Sequence, residues 1–165
     1  MLFRSRARRD PLARALRVDK LTLAALEATL PAYGAAAFAA REVPALAMLG
    51  AADGTLEQRA LALAEALRVR FPALGVSVER GEGEVGGGAL PLQRLPGWVV
   101  ALDAPERTAE ELNRWARGAD PPVIGYIRAG KFRMDVRTLG DDEVLEVADA
   151  LAGAARPSST AEERE

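Results

Sequence analysis

Apolar positions along this chain fall first at helical and later at alternating spacing. Asp10-Pro11 reads as a helix opening, with a capping carboxylate and proline at the first helical position, and leads into Leu12–Arg17. A second helical run, Leu21–Leu30, carries Leu21, Leu23, Ala24, Ala25, Leu26, Ala28 and Leu30, interrupted by Thr22, Glu27 and Thr29 alone. A helix this apolar around its circumference expects cover on more than one side. Residues 31–54 are poorly patterned, punctuated by Pro31, Gly34, Pro44, Gly50 and Gly54, with a short helix over Val43–Leu49.

Thr55 and Gln58 have capping-box spacing. The helix they open puts Leu56, Ala60, Leu63, Leu67 and Phe71 on one stripe, and Pro72 stops it. Val76 and Val78 alternate with Ser77 and Glu79 as in a strand, 81–91 reads as a glycine-rich loop, and Trp98–Leu102 as a buried strand. A helix follows over Glu106–Arg117, with Leu112 and Trp115 inward and Gly118 at its stop. Val123–Arg128 and Lys131–Thr138, joined by Ala129-Gly130, form a hairpin. The last helix spans Asp141–Ala152, with Val144, Val147, Ala148 and Leu151 inward. Strands joined by tight turns and interleaved with helices give an α+β fold, a small antiparallel sheet with helices on one face. The expected organisation is a basic segment over residues 1–9 and a domain over 10–153. Within that domain a helical lead-in covers 10–54 and an α+β unit 55–153; a polar, disordered tail covers 154–165.

Composition excludes several chemistries. The 165 residues suit one compact domain. No cysteine and no histidine are present, so zinc sites built on thiolate or imidazole, Ser-His-Asp or Cys-His machinery and disulfides are ruled out. Lys+Arg of 22 against Asp+Glu of 24 argues against a bulk nucleic-acid binder. Arg8, Arg9, Asp10, Arg14 and Arg17 interrupt any signal-peptide apolar region, and no apolar stretch reaches a membrane span. The expected location is the cytoplasm.

Candidate chemistry is sparse. Arg14 and Arg17 stand three apart in the first predicted helix and so share a side, where two guanidinium forks could hold an oxyanion. On spacing alone a solvated basic face, extended by Arg4, Arg6, Arg8 and Arg9, is the favoured account, because arginine is plentiful in this chain. Gly86-Gly87-Gly88 matches neither the Walker nor the dinucleotide fingerprint. Arg133, Asp135 and Arg137 share one strand face, where cross-strand pairs explain them, and Arg137 could also bind a carboxylate. Glu82 and Glu84 lack a partner that would assign acid and base roles, and Asp141-Asp142-Glu143 reads as helix N-terminal charge. Of the two lysines, Lys20 beside Asp19 suits a salt bridge or capping role and Lys131 a solvated position after a turn. Neither looks like a desolvated Schiff-base lysine.

The run Arg14-Ala-Leu-Arg-Val-Asp-Lys-Leu-Thr-Leu-Ala-Ala-Leu-Glu-Ala-Thr-Leu30 closely resembles the segment after the cofactor lysine in the bacterial L-seryl-tRNA(Sec) selenium transferase family. Val85-Gly-Gly-Gly-Ala-Leu-Pro91, Pro121-Pro-Val-Ile-Gly125 and Asp135-Val-Arg-Thr-Leu139 agree in order and spacing, so the resemblance covers about Asp10 to Gly153. It implies the C-terminal small α+β domain of a fold-type-I pyridoxal-phosphate enzyme. The full enzyme would eliminate water from seryl-tRNA(Sec) and add selenium from selenophosphate, as a homo-oligomer. Arg14 and Arg17 would then receive the anionic selenium donor, and Arg137 would lie near the substrate carboxyl end. The family's Schiff-base lysine, large cofactor domain and tRNA-binding region have no counterpart here. Tyr126 stands where the family often has arginine and Ala89 where it often has serine. The isolated chain is therefore expected neither to hold pyridoxal phosphate covalently nor to turn over, and to self-associate through Leu21–Leu30. Two other readings stay open: the same domain of a related lyase acting on a phosphorylated amino compound, and a non-catalytic module whose Arg4–Arg17 segment binds RNA or another anion with steep salt dependence.

Overall fold

The structure, a computed structural model, describes residues 10–34, 36–84 and 94–154. The chain divides into two compact units, one up to Ala47 and one from Met48. The basic segment 1–9, the glycine run at 86–88 and the tail from 155 lie outside the described residues.

The first unit is helical. Helix α1 (Pro11–Ala15) starts where Asp10 accepts a hydrogen bond from the Leu12 amide at 2.9 Å. It ends before Arg17, so the expected single helix carrying both arginines is corrected: Arg14 is on α1 and Arg17 is in the link to the next helix. The cause is local. Asp19 is the N-cap of α2 (Lys20–Thr29), accepting from the Thr22 amide and hydroxyl at 2.9 Å each, and this cap needs extended backbone at Asp19 (ψ 168°). A 3-10 turn (Leu30–Gly34) follows, then α3 (Ala36–Glu42), which no apolar stripe announces, and α4 (Pro44–Gly50).

The second unit carries the sheet. Its first full helix, α5 (Asp53–Arg70), begins ahead of the expected Thr55/Gln58 box, with Ala52 as N-cap making no side-chain cap bond and Asp53 supplying first-turn negative charge. Strands β1 (Gly75–Glu84) and β2 (Arg94–Asp103) pair antiparallel in unbroken register from Gly75↔Asp103 to Glu84↔Arg94. Residues 81–84, expected in a loop, thus continue β1, because the ladder to β2 satisfies their backbone groups. Helix α6 (Ala109–Arg117) opens on a capping box the sequence reading passed over: Thr108 accepts from the Glu111 amide at 3.2 Å while the Glu111 carboxylate accepts from the Thr108 amide at 2.8 Å. β3 (Tyr126–Arg128) and β4 (Lys131–Asp135) form the hairpin, shorter at both ends than expected. Positive φ at Ala129 (53°) and Gly130 (72°) suits a two-residue turn that follows the strands' twist. A 3-10 turn (Val136–Thr138) and α7 (Glu143–Ala154) complete the unit.

The sheet order is β1-β2-β4-β3, antiparallel throughout. Val100, Leu102, Phe132 and Met134 point to one face and pack with Leu56, Leu63 and Leu67 of α5, Leu112 of α6 and Leu151 of α7. The fold is α+β, as expected. Gly125 lies so close beneath β4 that an added Cβ would stand 2.6 Å from the Phe132 ring, which accounts for glycine at the end of the Pro121–Gly125 motif.

Candidate functional site

The three arginines singled out from the sequence have different surroundings. Arg14 lies on α1, and its side chain is outside the described residues; Arg17 is exposed. Arg137 is not on a strand face with Arg133 and Asp135, because β4 ends at Asp135 and Arg137 belongs to the 3-10 turn. Asp135 makes that break by accepting from the Arg137 amide at 2.9 Å. The Arg137 side chain turns inward and is 9% exposed. Its Nη1 donates to the Met48 carbonyl at 2.9 Å and its Nη2 to the Pro96 carbonyl at 2.7 Å, while Nε has no partner among the described residues.

Lys131, expected in solvent, keeps about a third of its side-chain surface exposed but is also ion-paired. Its ammonium lies 3.1 Å from Glu79 and 3.4 Å from Asp103, and donates to the Ser77 hydroxyl at 3.4 Å. Arg133 closes on the other Glu79 oxygen at 2.8 Å. Register explains the assembly: Ser77 faces Ala101, Glu79 faces Val99 and Ala101 faces Arg133 across the three strands. The charged groups thus roof Val99 and Ala101, both buried on the sheet face away from the helices. The period-two placing of Ser77 and Glu79 signalled this face, but their partners lie more than fifty residues away.

Hydrogen bonds from Lys131 and then Ser77 hold the Glu79 carboxyl below its ordinary value of 4.5, and Glu79 in turn raises Lys131 above 10.5. The Glu79 contribution to stability is complete above pH 4.5 and lost as pH falls through its lowered folded value. That of Lys131 is complete below pH 10.5 and lost as pH rises through its raised one. The melting temperature is therefore expected to be flat between about pH 6 and pH 9 and to fall on acidification. Asp53 and Glu111, also lowered, add to that fall. In a thermal melt series, E79Q should lose part of the acid slope; a slope identical to that of the parent would show that the network carries no linkage.

Of the remaining acids singled out from the sequence, three are engaged structurally, and the Glu84 side chain lies outside the described residues. Glu82 pairs with Arg94 at 2.6 Å, Asp141 with Arg59 at 2.6 Å, and Glu143 accepts from the Gly140 amide at 2.6 Å. A cleft of about 380 Å³ beside Pro121 and Pro122 is lined by Asp135, Glu143 and Glu146 but by no cation, which does not suit an anionic substrate. No cluster of three or more metal-ligating side chains occurs among the described residues, and no described helix is long and apolar enough to cross a membrane. Nor do the lysines suit a covalently held aldehyde cofactor. A Schiff base needs a neutral amine; Glu79 and Asp103 hold Lys131 protonated, and Lys20 is exposed at the start of α2.

A family model described as L-seryl-tRNA selenium transferase matches residues 3–140. Curated relatives named L-seryl-tRNA(Sec) selenium transferase include those of Geobacter metallireducens (43% identical over 146 residues, 88% of this chain and 32% of the relative) and Geotalea uraniireducens (44% over 147 residues, 88% and 32%). That of Nitratidesulfovibrio vulgaris is 44% identical over 147 residues, 88% of this chain and 31% of its own. The chain thus spans about a third of the length of the curated relatives it matches. With the match running from residue 3 through Arg14, Arg17 and the sheet to Gly140, the chain belongs to the L-seryl-tRNA selenium transferase family.

Proposed function

We propose that this chain is the C-terminal part of a transferase that converts seryl-tRNA(Sec) to selenocysteyl-tRNA(Sec). Selenophosphate would be the selenium donor and pyridoxal phosphate the cofactor, held by polypeptide that this chain does not contain. The observation that carries this reading is the family match over residues 3–140. The α+β unit from Met48 onward takes the place of the small domain of a fold-type-I enzyme. Arg14 and Arg17 serve the anionic donor: guanidinium groups stay charged at any working pH and present forked donors to a tetrahedral oxyanion. Arg17 reaches it from the irregular link before α2 rather than from a helix face. Arg137 stands near the substrate carboxyl end only if that group also accepts from a guanidinium already bonded to two carbonyls. The working enzyme is a cytoplasmic homo-oligomer, and this chain alone does not turn over.

The test is a fusion in which this chain replaces the matching third of the Geobacter metallireducens transferase. Selenium incorporation into seryl-tRNA(Sec) is expected to be retained. In the fusion, R14A/R17A should raise the KM for selenophosphate about tenfold or more, the scale of one lost charge-assisted hydrogen bond, with tRNA binding unchanged. A folded fusion that binds seryl-tRNA(Sec) yet incorporates no selenium would overturn the reading.

A further inference from the structure

Strand β1 lies at one edge of the sheet, and no described strand pairs with its outer side. The direction of its backbone groups follows from the hairpin at the other edge. A two-residue turn closes on a hydrogen-bonded pair, here Arg128 and Lys131. Bonding direction alternates along a strand, so Lys131 and Arg133 bond toward β3, and Phe132 and Met134 toward β2. Val100 and Leu102 then bond toward β4, Val99 and Ala101 toward β1, and Ser77 and Glu79 toward β2. The backbone N–H and C=O groups of Val76, Val78, Arg80 and Glu82 therefore point outward from the free edge. The Val76 carbonyl agrees, accepting from Arg68 of α5 at 2.9 Å. Edges are normally blunted by a bulge, proline or lysine, or by being short. Strand β1 has ten residues in unbroken register and neither proline nor lysine.

We propose that this edge pairs antiparallel with the same edge of a second copy of the chain, about a twofold axis at Gly81, joining two four-stranded sheets into one. Outward groups exchange hydrogen bonds only if even-numbered residues face even-numbered ones, which leaves few registers. Centring on Arg80 sets Arg80 against itself, and centring on Glu82 sets Glu82 against itself. Centring on Val78 or Glu79 needs the Val76 carbonyl, which Arg68 holds. Centring on Gly81 sets Arg80 opposite Glu82 twice, an attractive cross-strand pair on each side of the axis. At the axis two glycines meet, where paired strands approach most closely. Opposed residues share a face, so the helices of both copies lie on one side of the joined sheet. Both charged groups can take part, since the Arg80 side chain is 59% exposed and that of Glu82 50%. Arg80 holds Asp53 through Nη1 at 2.5 Å and Nη2 at 3.1 Å, leaving Nε without a partner among the described residues, and Glu82 meets Arg94 through Oε2. The proposal stands on the sheet alone and does not depend on the transferase reading.

Sedimentation velocity tests this on the full chain carrying L26E, which removes association through the exposed leucines of α2. A concentration-dependent equilibrium between monomer and dimer is expected. R80E and E82R each set like charges opposite one another at both pairs, and each should weaken the dimer about tenfold or more. In an equal mixture of these two variants every cross-strand pair is again of opposite sign. The mixed dimer should therefore return to within about threefold of the L26E affinity, although the contacts inside each chain are those of the separate variants. E82P removes an outward N–H, spares the ladder to β2, and should also weaken the dimer. An L26E chain that stays monomeric up to about 300 μM overturns the proposal. So does a mixture that associates no better than either variant alone, or a dimer that E82P leaves untouched.

Discussion

F132A is expected to destabilise the α+β unit by about 3–5 kcal/mol, the cost of emptying a fully enclosed aromatic site. Phe132 has no exposed surface and sits on β4 between Leu102 of β2 and Ile127 of β3 in the register. It belongs to the cluster that joins α5, α6 and α7 to the sheet. The backbone at Gly125 is already pressed against the ring, so a smaller side chain leaves a void that this segment can only partly fill. F132L keeps most of the volume and should cost less than about 1.5 kcal/mol. The same truncation at Phe38, which is exposed, should change stability by no more than about 0.5 kcal/mol. Urea unfolding at 25 °C checks the series. Similar midpoints for F132A and F38A would mean that the sheet-helix core is not what holds the unit together.

Phe132 was legible because it and Met134 alternate with Arg133 and Asp135 on a strand that a turn announces; other elements carried weaker signals. The α2 boundaries could be read closely, since Asp19 caps and Pro31 follows. Helix α3 had no such mark: Ala36–Glu42 offers alanine and phenylalanine without a stripe. Residues 81–84 have a loop's composition and become a strand only because Arg94–Gly97 pairs with them, a partner that local pattern cannot supply. The ion network at Glu79 was missed for the same reason: Lys131 and Arg133 reach it only after the chain has passed through α6 and the hairpin turn. The arginine pair was visible as charge, but its meaning came from the resemblance. Neither the anion nor the polypeptide expected to enclose it is encoded in these residues.

Arg137 is where pattern misled most, and its substitution carries the second large effect. As a strand residue it would face water beside Arg133; as a 3-10 residue it is buried and bonds Met48, at the end of α4, to Pro96 of β2. The Met48 carbonyl lies in the last turn of α4, where carbonyls lack helical partners and helix polarity favours a cation. R137A takes the charged donors away from two partly buried carbonyls, at a cost of about 2–4 kcal/mol. For a unit of this size the melting temperature should fall by roughly 10 °C. R137K keeps the charge but not the fork that spans both carbonyls, and should recover less than half of the loss. Gly97 leaves the room this geometry needs, since an added Cβ would stand 3.3 Å from Nη2. The measurement separates two roles. A structural clamp lowers the melting temperature of the isolated chain, whereas a substrate-binding arginine leaves it unchanged and raises KM in the fused enzyme. A melting temperature for R137A within about 2 °C of the parent would remove the clamp and return Arg137 to the substrate.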